Sequence, residues 1–137
     1  MKAVAYIDGS CLGNPGDAAY AIILQDESGG ELKAVGRYIG KATNNIAEFS
    51  GLLGCLELAE QLHINMITIY SDSQLLVKQL SGEYRIKQPH LQKIHNRIHE
   101  TAEKADISYE VVHIGREQNK QADRLARQSA RIKKDIL

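Results

Sequence analysis

The chain has 137 residues, 43% of them hydrophobic and 25% charged, the proportions of one globular domain rather than a disordered or fibrous chain. Lys plus Arg and Asp plus Glu are both 17 and cancel, which counts against a general nucleic-acid binder but leaves room for a local basic patch beside a local acidic site. With six Tyr, one Phe and no Trp, stacking on bases is a poor candidate for the main source of any affinity.

Met1 and Lys2 are followed at once by an apolar strand, so no signal peptide is expected, and no run is long enough to span a bilayer. Cys11 and Cys55 lack metal-ligand spacing and read as free thiols of a reducing cytoplasm. Lys2 to Ile7 reads as a short strand that ends at Asp8. Ala18 to Gln25 and Glu31 to Tyr38 read as an antiparallel hairpin, joined through a turn at Glu27 to Gly30. A helix is expected from Asn45 to Leu62, because Ile46, Phe49, Leu52, Leu53, Leu56 and Ala59 recur at helical spacing. Met66 to Tyr70 reads as a strand leading into Ser71-Asp72, followed by a helix from Ser73 to Leu80 that Gly82 stops. Pro89 suits the first turn of a helix carrying Leu91, Ile94, Ile98 and Ala102. Ile107 to Ile114 reads as the last strand. Asn119 to Ile132 reads as the last helix, with Ala122, Leu125, Ala126 and Ser129 inward and residues 133–137 expected to fray. The order β-β-β-α-β-α-α-β-α predicts an α/β fold, a mixed sheet with helices on its faces.

Four acids sit badly for stability alone in this layout. Asp8 and Asp72 each end a strand; Glu48 and Asp123 each lie one turn into a helix among core residues. Two of them have a local explanation. Asp72 could cap the helix after it, and Glu48 could be a first-turn acid favoured by the helix dipole. Asp8 has no helix beside it. If the first and fourth strands are parallel neighbours, Asp8 and Asp72 share an edge, and the two helices bring Glu48 and Asp123 to it. Clustered carboxylates resist ionising together, and a divalent cation removes that penalty. Oxygen-only ligands fit Mg²⁺ or Mn²⁺ rather than Zn²⁺. Two such ions roughly 4 Å apart are a device for in-line displacement at phosphorus.

At these residues the chain resembles the type 1 ribonuclease H family. Asp8 to Gly16 (DGSCLGNPG), Thr43 to Glu48 (TNNIAE), Ser71 to Gln74 (SDSQ) and Asn119 to Ala126 (NKQADRLA) occur in the family's order, each holding one of the four acids. The resemblance implies a ribonuclease H-like fold, a five-stranded mixed sheet of order 3-2-1-4-5 flanked by helices. It implies endonucleolytic hydrolysis of the RNA strand of RNA/DNA hybrids, with 5′-phosphate and 3′-hydroxyl ends. Asp8, Glu48, Asp72 and Asp123 would be the catalytic acids and hold two Mg²⁺ or Mn²⁺ ions. Gly9, Ser10, Asn14, Thr43, Asn44, Asn45 and Gln74 would contact the hybrid. Asn and Gln amides can answer a 2′-hydroxyl, which both donates and accepts. Gly9 would let the sugar approach the backbone, and Thr43 with Lys41 could hold a DNA-strand phosphate. Asn14-Pro15-Gly16 equally suits a turn, and one of Asn44 and Asn45 could cap the helix.

Two departures from the family pattern matter. Many members carry a His in a loop before the last helix, where Arg116 stands here; arginine can hold a phosphate but cannot act as a base. His113 falls at the strand end. Ser81 to His90 is short and lacks Trp where many members have a long basic protrusion, which predicts weaker hybrid binding. Lys120, Arg124, Arg127 and Arg131 form a basic row on the last helix, either a solvated face or a surface for phosphate or self-association. The expectation is therefore a catalytic domain at 1–132 with a tail at 133–137, monomeric, without an N-terminal hybrid-binding domain. Double-stranded RNA is a second candidate substrate. A catalytically silent hybrid- or RNA-binding module and a domain cut from a reverse transcriptase are the competing readings.

Overall fold

The computed structural model describes residues 1–137. Three strands come first, β1 (Lys2–Leu12), β2 (Gly16–Asp26) and β3 (Glu31–Ala42), followed by α1 (Asn44–Gln61) and β4 (Met66–Ser71). Then come α2 (Gln74–Leu80), α3 (Pro89–Lys104), β5 (Ser108–His113) and α4 (Lys120–Ile132), which is entered through a 3-10 turn at Arg116–Gln118. The strands form one sheet in the order β3-β2-β1-β4-β5. β1 and β3 flank β2 antiparallel, and β1 and β5 flank β4 parallel. The expected mixed sheet and its strand order are both present.

Alternation along the strands divides the core between two faces. Ala3, Ala5 and Ile7 of β1, with Ile22 and Leu24 of β2, join α1 and α3. Ala21 and Ile23 of β2 lie on the other face with Ala122 and Ala126 of α4. α1 lies between the sheet and α3, so it needs apolar residues on two sides and buries ten along its length, from Ile46 to Ala59. α3 packs on the outside and buries only Leu91, Ile94, Ile98 and Ala102. No helix is long and apolar enough to cross a membrane.

Two boundaries depart from the sequence reading. β1 does not end at Asp8. Its parallel pairing with β4 stops at Ile7 opposite Ser71, but its antiparallel pairing with β2 continues to Leu12 opposite Asp17. Asp8 is thus the first residue of β1 beyond the reach of β4. β3 is longer for the same reason, running to Ala42 opposite Gly16. The last residues do not fray either. Lys133 takes a left-handed conformation (φ 56°) at the end of α4, and the tail turns back onto β3. Gly36 and Ile136 exchange both backbone hydrogen bonds, at 2.7 and 2.9 Å, and Asp135 accepts from Tyr38 N and Arg37 Nη1. β3 is a sheet edge, and the tail satisfies polar groups the edge would otherwise present to water.

Candidate active site

The site forms where β1 outruns β4. Termination of β4 at Ser71 leaves Asp72 beside Asp8, and α1 crosses β1 immediately next to them. The crossing depends on Gly9. A Cβ there would lie 2.6 Å from Glu48 N and 2.7 Å from Ala47 C, both backbone atoms of α1. The missing side chain therefore faces α1 and lets Glu48 come up to Asp8. This is a different role from the open approach to a sugar that the sequence suggested. One carboxylate oxygen from each of Asp8, Glu48 and Asp72 lies within 4.8 Å of the others.

The local explanations for Glu48 and Asp72 do not hold. Thr43, not an asparagine, caps α1 by accepting from Ile46 N at 3.2 Å, and Glu48 lies past the first turn. Ser73 caps α2 by accepting from Leu76 N at 3.1 Å, which leaves Asp72 free of that duty. Asp123 does lie in the first turn of α4. It borders the same cleft but stands outside the three-acid group, its two oxygens facing Arg127 at 3.2 Å each.

Asp8 is 4% exposed. Burial, then the charges of Glu48, Asp72 and Asp123, push its carboxyl well above the usual range. Burial and Asp72 push Glu48 up as well, while hydrogen bonds to Asp8 and the Gly9 N–H offset part of that. Glu48 Oε2 is buried without a hydrogen-bond partner. A partly buried, under-coordinated, oxygen-only cluster whose members repel one another suits a hard divalent cation. The residues therefore fit the metal their pattern implies.

The electrostatics predict an inverted effect on stability. A carboxyl whose pKa is raised by folding contributes fully only below the unfolded carboxylate range, and its contribution is lost as pH rises above it. In chelator, the melting temperature should therefore fall as pH is raised from 5 to 9. Asp8→Asn, which keeps an acceptor for Gly9 N (3.0 Å from Asp8 Oδ1), should melt higher than the natural chain at pH 8, by about 3–5 °C per kcal/mol recovered. A lower melting point for Asp8→Asn at that pH would contradict the assignment of strain to this cluster.

The acids lie in an open cleft of about 1490 Å³ lined mainly by polar residues, larger than the roughly 300–1,000 Å³ of a small-molecule pocket. Gly9, Ser10, Asn14, Thr43, Asn44, Asn45 and Gln74 all line it, as does Arg116. Lys41 does not; it is exposed on β3 opposite Asp17. Several of these side chains also have structural work. Asn14 Oδ1 accepts from Asn44 N, the first N–H of α1, at 3.1 Å. Asn45 Nδ2 donates to Gln79 Oε1, and its own Oδ1 is buried without a partner. Cys11 Sγ sits 3.0 Å from Ala42 O, close to Gly13 O as well, so the thiol ties the β1–β2 turn to the end of β3. Of the basic row, Lys120, Arg127 and Arg131 edge the cleft and Arg124 does not. His113 is exposed on the rim beside Arg116.

Sequence reasoning missed Asn119. It is 2% exposed, and its Nδ2 lies 2.9 Å from Ile7 O and 3.4 Å from Asp72 Oδ2. Its position at the head of the NKQAD stretch, where a helix cap is expected, concealed it.

Comparison with known proteins agrees with this frame. A family model described as reverse transcriptase-like matches residues 6–129. Ribonuclease HI of Halobacterium salinarum is 38% identical over 125 residues, covering 91% of this chain and 62% of that protein. A bifunctional protein of Mycobacterium tuberculosis is 38% identical over 92% of this chain and 35% of its own length. The chain thus spans between about a third and two thirds of these relatives. The crystal structure of RNase H1 from H. salinarum superposes with a TM-score of 0.89 at 35% identity, covering 97% of this chain and 99% of that one. LC11-RNase H1, from a compost metagenome and solved with an RNA/DNA hybrid, gives 0.87 at 32% identity over 92% and 94% of the two chains.

Proposed function

The chain belongs to the type 1 ribonuclease H family, and from that membership we propose that it is a metal-dependent endoribonuclease that hydrolyses the RNA strand of RNA/DNA hybrids. The observation that carries this reading is the convergence of Asp8, Glu48 and Asp72 within 4.8 Å, in an open cleft larger than a metabolite pocket. Asp8, Glu48 and Asp72 would hold Mg²⁺ or Mn²⁺, with Asp123 joining them when it leaves Arg127. Two bound ions supply an activated water and charge neutralisation at the leaving oxygen, consistent with 5′-phosphate and 3′-hydroxyl products.

The chain's own groups do the rest. Ser10, Asn44, Asn45 and Gln74 line the cleft with the acids, where hydroxyl and amide groups suit a 2′-hydroxyl that donates and accepts. Arg116 holds a phosphate and takes no proton. Lys120, Arg127 and Arg131 of α4 also border the cleft, where basic side chains suit a phosphate backbone rather than bases. The connection from α2 to α3 is short, residues 81–88, so the cleft and this row supply most of the grip.

The test is a panel of labelled RNA/DNA hybrid, double-stranded RNA and single-stranded RNA, each with Mg²⁺, with Mn²⁺ and with chelator. Cleavage of the hybrid's RNA strand that requires metal is expected. No metal-dependent cut in any duplex would remove the enzyme reading in favour of a binding module. A cut in double-stranded RNA would broaden the substrate class.

A further inference from the structure

We propose that Asn119 is a positioning residue that sets the orientation of Asp72 and fixes it relative to the Asp8 end of β1; the inference rests on the metal-centre reading above. Asparagine is among the preferred residues at a helix N-cap, where its side-chain oxygen accepts from an N–H of the first turn. Asn119 occupies the N-cap of α4, yet its side chain makes no capping hydrogen bond. It turns inward instead and is almost fully buried, 2% exposed.

The inward partners are both acceptors. Asn119 Nδ2 lies 2.9 Å from the carbonyl of Ile7, the residue before Asp8, and 3.4 Å from Asp72 Oδ2. Two acceptors on one atom identify it as the amide nitrogen rather than the oxygen. One NH₂ group thus reaches β1 at the residue before Asp8 and, on the segment after β4, the second acid itself. No other backbone pairing does this, because the parallel β1–β4 ladder ends at Ile7 and Ser71. The segment carrying Asp72 is further held by Ser73 N donating to Ser71 Oγ at 3.1 Å. Asn119 adds the side-chain contact that selects one orientation of the carboxylate.

A purely structural asparagine would be expected to cap the helix or to satisfy both ends of its amide. Asn119 does neither: its Oδ1 is buried without a partner. A buried polar side chain left half-satisfied, with its donor on a metal-ligand candidate, is placed to orient that ligand and keep its lone pairs aimed at the ion.

Asn119→Ser is the discriminating variant, because serine is an equally good N-cap but is too short to reach both Ile7 O and Asp72. Titrating Mn²⁺ by calorimetry into the intact chain, without substrate, is expected to show affinity about 10–100-fold weaker in Asn119→Ser. Its melting temperature in chelator should fall by only a few degrees, because the restored cap offsets part of the lost hydrogen bond to Ile7 O. In cleavage, kcat should fall while KM for the hybrid holds. Equal Mn²⁺ affinity in the two chains would overturn the proposal while leaving the metal centre intact. Absence of Mn²⁺ binding in the natural chain would instead remove the centre itself. A second measurement needs no variant. The Asn119 side-chain amide resonances of the natural chain should shift on titration with Mg²⁺ in parallel with those of the Asp72 backbone. If they stay fixed while Asp72 moves, the proposal fails.

Discussion

Asp72→Asn is expected to abolish metal-dependent cleavage while leaving the fold intact. The side chain is not part of any cap, since Ser73 performs that role for α2. It contributes instead a carboxylate oxygen within 4.8 Å of those of Asp8 and Glu48, so its charge is a source of repulsion in the metal-free protein. Asparagine keeps the shape and an acceptor for Asn119 but removes the negative charge that holds a cation. Metal-assisted stabilisation of a phosphoryl transition state is worth several kcal/mol. A loss of ~4 kcal/mol corresponds to roughly a 10³-fold drop in rate. The melting temperature in chelator should stay level or rise, because one member of a mutually repelling set has been neutralised. Cleavage within about tenfold of the natural chain, at equal metal, would show that Asp72 is not a required ligand. A collapse of melting temperature would show that the acid is structural. Only loss of cleavage with a retained fold fits the proposed centre.

What the sequence makes legible here is set by where physical constraints are local. α1 is readable because its apolar period extends through Leu56 and Ala59, and the sheet order follows once the motifs place the chain in its family. Asp8 is readable because local chemistry gives it little to do, and the other three acids become readable through the motifs that hold them. The end of β1 is not readable. Residues 8–12 pair on one side only, and their polar and small character, which suggests a loop, comes from lining a cleft. The caps mislead in the same way. TNN and SDS each offer several competent capping residues, and the choice of Thr43 and Ser73 depends on the angle at which each helix leaves the sheet. Asn119 is the sharpest case. Its type and position predict a cap, and only the tertiary neighbourhood of Ile7 and Asp72 shows its side chain turned the other way. The docked tail, likewise, follows from the exposed edge of β3, which no window of the tail's own sequence reveals.

Gly9→Ala should lower stability and cleavage together, and the pairing of the two effects is what decides the role of this residue. If Gly9 served only to admit a sugar, a methyl group there would raise KM for the hybrid and leave melting unchanged. The geometry gives the methyl a different neighbour. It would meet Glu48 N at 2.6 Å, Ala47 C at 2.7 Å and Ala47 Cβ at 2.9 Å. Two of these are backbone atoms, which cannot move aside as the end of a flexible side chain can. α1 must therefore lift from β1. It is held from behind by α3, so the displacement strains the larger core cluster. Overpacking of this kind costs about 1–3 kcal/mol, or several degrees of melting temperature. The same displacement carries Glu48 away from Asp8 and Asp72. A misplacement of ~1 Å at a reacting centre can cost about 10²-fold in rate. The expected result is a lower melting temperature, weaker Mn²⁺ binding and a reduced kcat, with KM little changed. Unchanged melting and Mn²⁺ affinity with a raised KM would return Gly9 to the role of a substrate contact. It would also show that α1 does not need this close approach to deliver Glu48.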